Sequence, residues 1–82
     1  IRFAEKAEPE LILLQCGADG LAGDPIAHLQ YTPECHRFAA ENLHSLSESF
    51  CKGRIVAMGG GGYNLDNVAR AWSEIVRALA AL

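Results

Sequence analysis

Two short unbroken apolar runs and two longer stretches of helical period divide this chain. Leu11, Ile12, Leu13 and Leu14 follow one another without a polar residue, the pattern of a strand covered on both faces in a parallel sheet. Arg54 to Met58 is a second short apolar run. Between them, Thr32-Pro33-Glu34 predicts a helix start. The threonine hydroxyl can accept a first-turn amide, proline is tolerated at the first helical position, and glutamate favours the positive end of the helix. This helix is expected to reach about residue 50, with Phe38, Ala39, Leu43, Leu46 and Phe50 inward and Lys52-Gly53 closing it. A last helix follows Asn64, which is placed to cap it. Leu65, Val68, Ala69, Trp72, Ile75, Val76 and Leu79 form its apolar stripe, and Asp66 to Arg70 and Ser73 to Arg77 its wetter side. Arg2 to Ala7 has the mixed character of a helix's last turns, which Pro9 ends.

The predicted order strand, helix, strand, helix implies an α/β fold with a right-handed parallel crossover. Residues 16 to 31 hold Gly17, Gly20, Gly23 and Pro25 without any period and form a long loop at a strand end, where function often resides. Two parallel strands are not a sheet by themselves, so further strands are expected from elsewhere in a longer protein. That the first residue is Ile1 and the sole methionine Met58 agrees with this expectation.

Eighty-two residues make at most one small domain. Half are hydrophobic, 21% are charged and the net charge is −3, which excludes a disordered or fibrous class and leaves no basic face for nucleic acid. The three cysteines, Cys16, Cys35 and Cys51, include no Cys-x-x-Cys pair. They are read as reduced thiols of a cytoplasmic protein, not as a disulfide framework or a structural zinc site. No apolar run approaches the length of about 20 residues that a membrane span requires, and the start lacks a secretion-signal pattern.

Gly17-Ala18-Asp19-Gly20 follows the first strand, and Gly59 to Gly62, then Tyr63 and Asn64, follow the second. In open parallel sheets ligands bind beyond the carboxyl ends of the strands, so Asp19 and Tyr63 are expected to share a cleft. A carboxylate there can ligate Zn²⁺, and a phenol can donate to an oxyanion. A plainer reading stays open, with Asp19 as an Asp-Gly turn residue and Tyr63 as a partly buried aromatic. The glycines do not fit G-x-G-x-x-G, and no P-loop lysine follows them. His36 and His44 lie eight apart, not the four that puts two imidazoles on one metal, and with His28 they are read as structural or surface residues.

The segments Gln15-Cys16-Gly17-Ala18-Asp19-Gly20-Leu21-Ala22-Gly23-Asp24-Pro25, Gly59-Gly60-Gly61-Gly62-Tyr63-Asn64-Leu65 and Asn67-Val68-Ala69-Arg70-Ala71-Trp72 closely resemble the C-terminal part of the histone deacetylase family, above all its bacterial and archaeal acetoin utilisation proteins. The resemblance implies a three-layer arginase/deacetylase fold around a parallel sheet. Residues 1–82 would then be the C-terminal part of a single domain whose N-terminal part is missing. It further implies zinc-dependent hydrolysis of acetyl-lysine or a related acetylated amine. Asp19 matches a zinc-binding aspartate, Tyr63 the tyrosine that hydrogen-bonds the acetyl carbonyl, Ile26 a substrate-pocket wall position, and Gly60, Gly61 and Gly62 backbone at the base of that pocket. The other zinc ligands and a tandem pair of histidines are expected upstream of Ile1, so this piece alone should be inactive. Gly17 stands where the two-manganese arginase branch has an aspartate, which favours a single metal. The expected partner is an acetylated protein or a small acetylated amine, without nucleic acid or membrane, and self-association is left open. The rival readings are an acetylpolyamine-type amidohydrolase and a scaffold that keeps the fold without the metal.

Overall fold

The computed structural model describes residues 2–80; Ile1, the first residue of the expected domain, and residues 81 and 82 lie outside the described residues. The elements are α1 (Arg2–Ala7), β1 (Ile12–Gln15), a 3-10 turn (Ala18–Gly20), α2 (Pro33–Phe50), β2 (Ile55–Met58) and α3 (Leu65–Ala80). The fold is therefore α/β. β1 and β2 pair in parallel, with Ile12 opposite Ile55 and Gln15 opposite Met58. Among the described residues no helix is long and apolar enough to cross a membrane.

Both strands alternate between half-buried and exposed positions. Ile12, Leu14, Ile55 and Ala57 lie on the half-buried face, where α2 crosses both strands. Leu13, Val56 and Met58 are exposed on the other. The expected cover on both faces is thus not met within the described residues. The reason is geometric: α2 packs on one face of the sheet and α3 packs chiefly against α2 and the 3-10 turn, which leaves the second face bare.

The helices depart from their predicted faces in a consistent way. In α2 the buried positions are Ala40, Leu46 and Ser47, while Phe38 and Phe50, expected inward, are exposed. In α3 the buried seam is Asn67, Ala71, Ile75 and Ala78, while Leu65 and Val76 stand out in solvent. Each apolar stripe is wider than the contact it makes, and on α3 the buried Ala71 packs against Ala18 and Leu21. Asn67, assigned above to the solvated side, is one of the most buried residues of the chain.

The caps divide likewise. The Thr32 hydroxyl makes no capping bond; Pro33 takes the first helical position and the Thr32 carbonyl accepts the Cys35 amide. At the other end of α2 the amides of Cys51 and Gly53 both turn back to the Ser47 carbonyl, closing the helix at the expected place. Asn64 caps α3, its Oδ1 accepting the Asn67 amide at 3.1 Å. The loop expected at 16–31 is partly ordered by the 3-10 turn and by a parallel bridge between Leu21 and Tyr31. Beneath it Ala18, Leu21 and Ala71 form a small core with Val68 against them. The floor of the Asp19 turn is therefore the first part of α3.

Candidate active site

Where β1 and β2 end, their pairing continues into the turns. The Cys16 amide donates to the Met58 carbonyl at 2.7 Å and the Ala18 amide to the Gly61 carbonyl at 2.7 Å. Both glycine-bearing turns therefore occupy one edge, as the parallel crossover requires.

The glycines are there for space. A Cβ on Gly61 would fall 2.5 Å from Asp19 Oδ2 and 2.6 Å from Asp19 Cγ, so the half-buried carboxylate lies directly on the Gly61 backbone. A Cβ on Gly60 would overlap the Gln15 carboxamide, whose Oε1 accepts the Gly17 amide at 3.2 Å. Gly62 has φ +148, and a Cβ there would lie 3.1 Å from Val68 and 3.3 Å from Ala18, so both conformation and room select glycine. Gly59 differs: the nearest atom to an added Cβ is on Trp72, at 4.0 Å.

Three polar residues hold these turns: His36, read from the sequence as structural or surface, and Asn67 and Asp24, to which sequence reasoning gave no such role. His36 on α2 reaches the Gly17 carbonyl through Nε2 at 2.9 Å, and its Nδ1 is buried without a partner among the described residues. Asn67 donates from Nδ2 to the Ala22 carbonyl at 2.9 Å and accepts the Arg70 guanidinium at 2.8 Å. Asp24 is the most heavily engaged. Its Oδ1 accepts the amides of Ile26 and Ala27 at 2.9 and 3.1 Å, and its Oδ2 accepts the Tyr63 amide at 2.9 Å. Only the local half of this was legible, since Asp before Pro at a turn favours an Asx arrangement; the bond to Tyr63 spans 39 residues.

Burial acts to raise the Asp24 pKa, but the amides of Tyr63, Ile26 and Ala27, with the charge of nearby His28, outweigh it and hold the carboxyl below its ordinary value. A depressed folded-state pKa contributes stability above the unfolded value and loses it as pH falls through the folded one. The urea midpoint of wild type should accordingly exceed that of Asp24→Asn at neutral pH. The gap should close as pH drops through and below the ordinary aspartate value of about 3.9; a pH-independent gap would count against the ionised cradle. Cys16, the buried thiol at the end of β1, has its pKa raised by burial, which keeps it protonated and inert.

The Asp19 side chain has no hydrogen-bond partner among the described residues, and its carboxyl group lies against Gly61. Tyr63 is 54% exposed, and its phenol has no partner among the described residues. Ile26 is exposed, with its amide on Asp24. The structure thus brings Asp19 onto Gly61 and joins Ile26 to Tyr63 through one carboxylate. Among the described residues there is no group of three His, Cys, Asp or Glu able to hold a metal, so a metal at Asp19 needs further ligands from outside them.

A family model described as histone deacetylase domain matches residues 1–79. The chain is 42% identical over 71 residues to histone deacetylase 7 of Arabidopsis thaliana, covering 87% of this chain and 16% of that protein. It is 39% identical over 69 residues to the acetoin utilization protein AcuC of Bacillus subtilis, covering 83% and 18%. To the mouse polyamine deacetylase HDAC10 it is 40% identical over 77 residues, covering 94% and 11%. The solved structure of the HDA15 HD domain superposes with a TM-score of 0.87 at 23% identity, over 99% of this chain and 22% of that one, which shows the common fold. The chain spans less than a fifth of the length of these curated relatives. With nearly every residue inside the matched model and two curated deacetylases at 40% identity or above, the chain belongs to the histone deacetylase family.

Proposed function

We propose that in its full-length protein this chain serves a zinc-dependent hydrolase that removes acetyl groups from amines, with Asp19 as one metal ligand and Tyr63 as a hydrogen-bond donor to the acetyl oxygen. The observation that carries this reading is the juncture of the two turns. The Asp19 carboxylate rests on Gly61, two residues before Tyr63, and neither side chain has a partner within the described fold. The donor chemistry fits a metal, since an anionic oxygen free of competing donors is a good zinc ligand. One aspartate supplies a single ligand, so the others, and the general base, come from other parts of the same domain.

A bound Zn²⁺ supplies Lewis acidity toward the acyl oxygen and lowers the pKa of its water toward about 7. The chain's own residues do the rest. Asp19 offers its carboxylate at a fixed place because the 3-10 turn rests on α3 and is held by Gly61 and His36. The phenol of Tyr63, half in solvent, donates to the oxygen as negative charge develops on it, a contribution realised mainly in the transition state. Gly60 to Gly62 keep side chains out of the space beside it.

The full-length protein should lose deacetylation of an acetyl-lysine peptide on chelation and regain it on stoichiometric Zn²⁺. Undiminished turnover in metal-free protein would refute the metal reading. Because relatives include a polyamine deacetylase, the same assay run with an acetylpolyamine separates the two substrate classes by kcat/KM.

A further inference from the structure

The polar stitching around Tyr63 is unequal. Three side chains tie the segment Ala22–Asp24 to the start of α3. Asn64 Nδ2 donates to the Gly23 carbonyl at 3.4 Å, Asn67 Nδ2 to the Ala22 carbonyl at 2.9 Å, and Asp24 Oδ2 accepts the Tyr63 amide at 2.9 Å. The two asparagines act on backbone that carries no chemistry. Asp24 alone grips the tyrosine's own peptide, with a charged acceptor about twice as strong as a neutral one. The residue is 4% exposed and its other oxygen accepts the amides of Ile26 and Ala27, so the carboxylate is held at both oxygens.

Tyr63 has few other constraints on its orientation. Its ring is half in solvent and its hydroxyl is unpartnered among the described residues. On one side stands Gly62, whose φ of +148 lies where ordinary residues seldom go. On the other stands the Asn64 cap. The direction in which the Cα–Cβ bond leaves the chain is set by the peptide between them, and that peptide hangs on Asp24.

We propose that Asp24 is the positioning residue for Tyr63: by accepting the Tyr63 amide with one oxygen and the Ile26 and Ala27 amides with the other, it aims the phenol at the acyl oxygen. This rests on the reading of Tyr63 given above. A displacement of about 1 Å in a reacting group costs roughly 100-fold in rate, so a cradle that holds one peptide is a rate-determining feature even though it touches no substrate. Asparagine cannot replace it. A carboxamide has the same shape but one acceptor oxygen, so either the Tyr63 amide or the Ile26 and Ala27 pair would face an NH₂ group.

The test is a double-mutant cycle in the full-length protein with an acetyl-lysine peptide as substrate. Asp24→Asn should lower kcat by roughly 100-fold with KM nearly unchanged. Tyr63→Phe should then cost at least about tenfold less in the Asp24→Asn background than in wild type, because the phenol is already misaimed. If Tyr63→Phe costs the same in both backgrounds, Asp24 is only a fold-stabilising residue and the proposal fails while the role of Tyr63 stands. Should Tyr63→Phe be silent in wild type, the role of Tyr63 falls and takes the proposal with it. A tyrosine α-hydroxy acid at position 63 replaces the amide by an ester, which removes the donated hydrogen, puts an oxygen in its place and weakens the Gly62 carbonyl as an acceptor while leaving every side chain as it is, so it serves where Asp24→Asn does not fold. It should reproduce the fall in kcat and the diminished cost of Tyr63→Phe, and wild-type turnover in the ester protein would overturn the proposal.

Discussion

Replacing Tyr63 by phenylalanine in the full-length protein is expected to lower kcat by roughly 10²- to 10³-fold, the loss of about 2.7 to 4 kcal/mol that follows removal of one oriented donor to a developing oxyanion. The fold gives little reason for any other effect. The ring is half exposed and its hydroxyl bonds to nothing among the described residues, while the bond that anchors residue 63 is made by the backbone and survives the change. Thermal stability should therefore be unaltered. KM should stay within a few-fold, because the donor acts on charge that appears only as the carbonyl is attacked. Stopped or steady-state kinetics on acetyl-lysine peptide decide the matter: a variant turning over at the wild-type rate would return Tyr63 to the status of a surface aromatic.

How the chain announces this site depends on the range of the interactions involved. The apolar runs place both strands to within a residue, Leu11–Leu14 against the observed β1, Ile12–Gln15, because strand formation there is a local matter of β-branched and aliphatic content. Both long helices are equally plain. Which of their apolar residues would be buried is not, because α2 and α3 pack mainly on each other and leave Phe38, Leu65 and Val76 outside. A stripe can be read from period alone, whereas the portion of it that finds a partner is decided by the neighbour. The polar frame is the least legible part. His36 to Gly17, Asn67 to Ala22 and Asp24 to Tyr63 join positions 19, 45 and 39 apart, and no local propensity encodes such pairs. The glycines sit between these extremes: their number marks the turn, but only the packed structure shows which of them have something pressed against them.

That difference among glycines yields the second large effect expected. Gly61→Ala should cost roughly 100-fold in kcat of the full-length protein and roughly 10- to 100-fold in zinc affinity, the scale for a misplaced group near a metal. Gly59→Ala should leave both within a few-fold. The two residues lie two apart in one run, and neither has a positive φ, so backbone strain does not separate them. What separates them is occupancy. The added methyl at 61 would lie 2.5 to 3.0 Å from three atoms of the Asp19 carboxyl, inside the distance real Cβ atoms keep, whereas at 59 it meets nothing closer than Trp72 at 4.0 Å. The carboxyl group must move, since its own turn is pinned below by Ala18 and Leu21 against α3 and beside by the Ala18 amide on the Gly61 carbonyl. Metal content by competition with a chromophoric chelator and kcat measured at saturating Zn²⁺ read the two consequences separately. If Asp19 is the ligand, excess metal should restore occupancy in Gly61→Ala without restoring the full rate, because the ion is then held off its place. Equal behaviour of the two alanine variants would mean that the carboxylate at position 19 carries no metal.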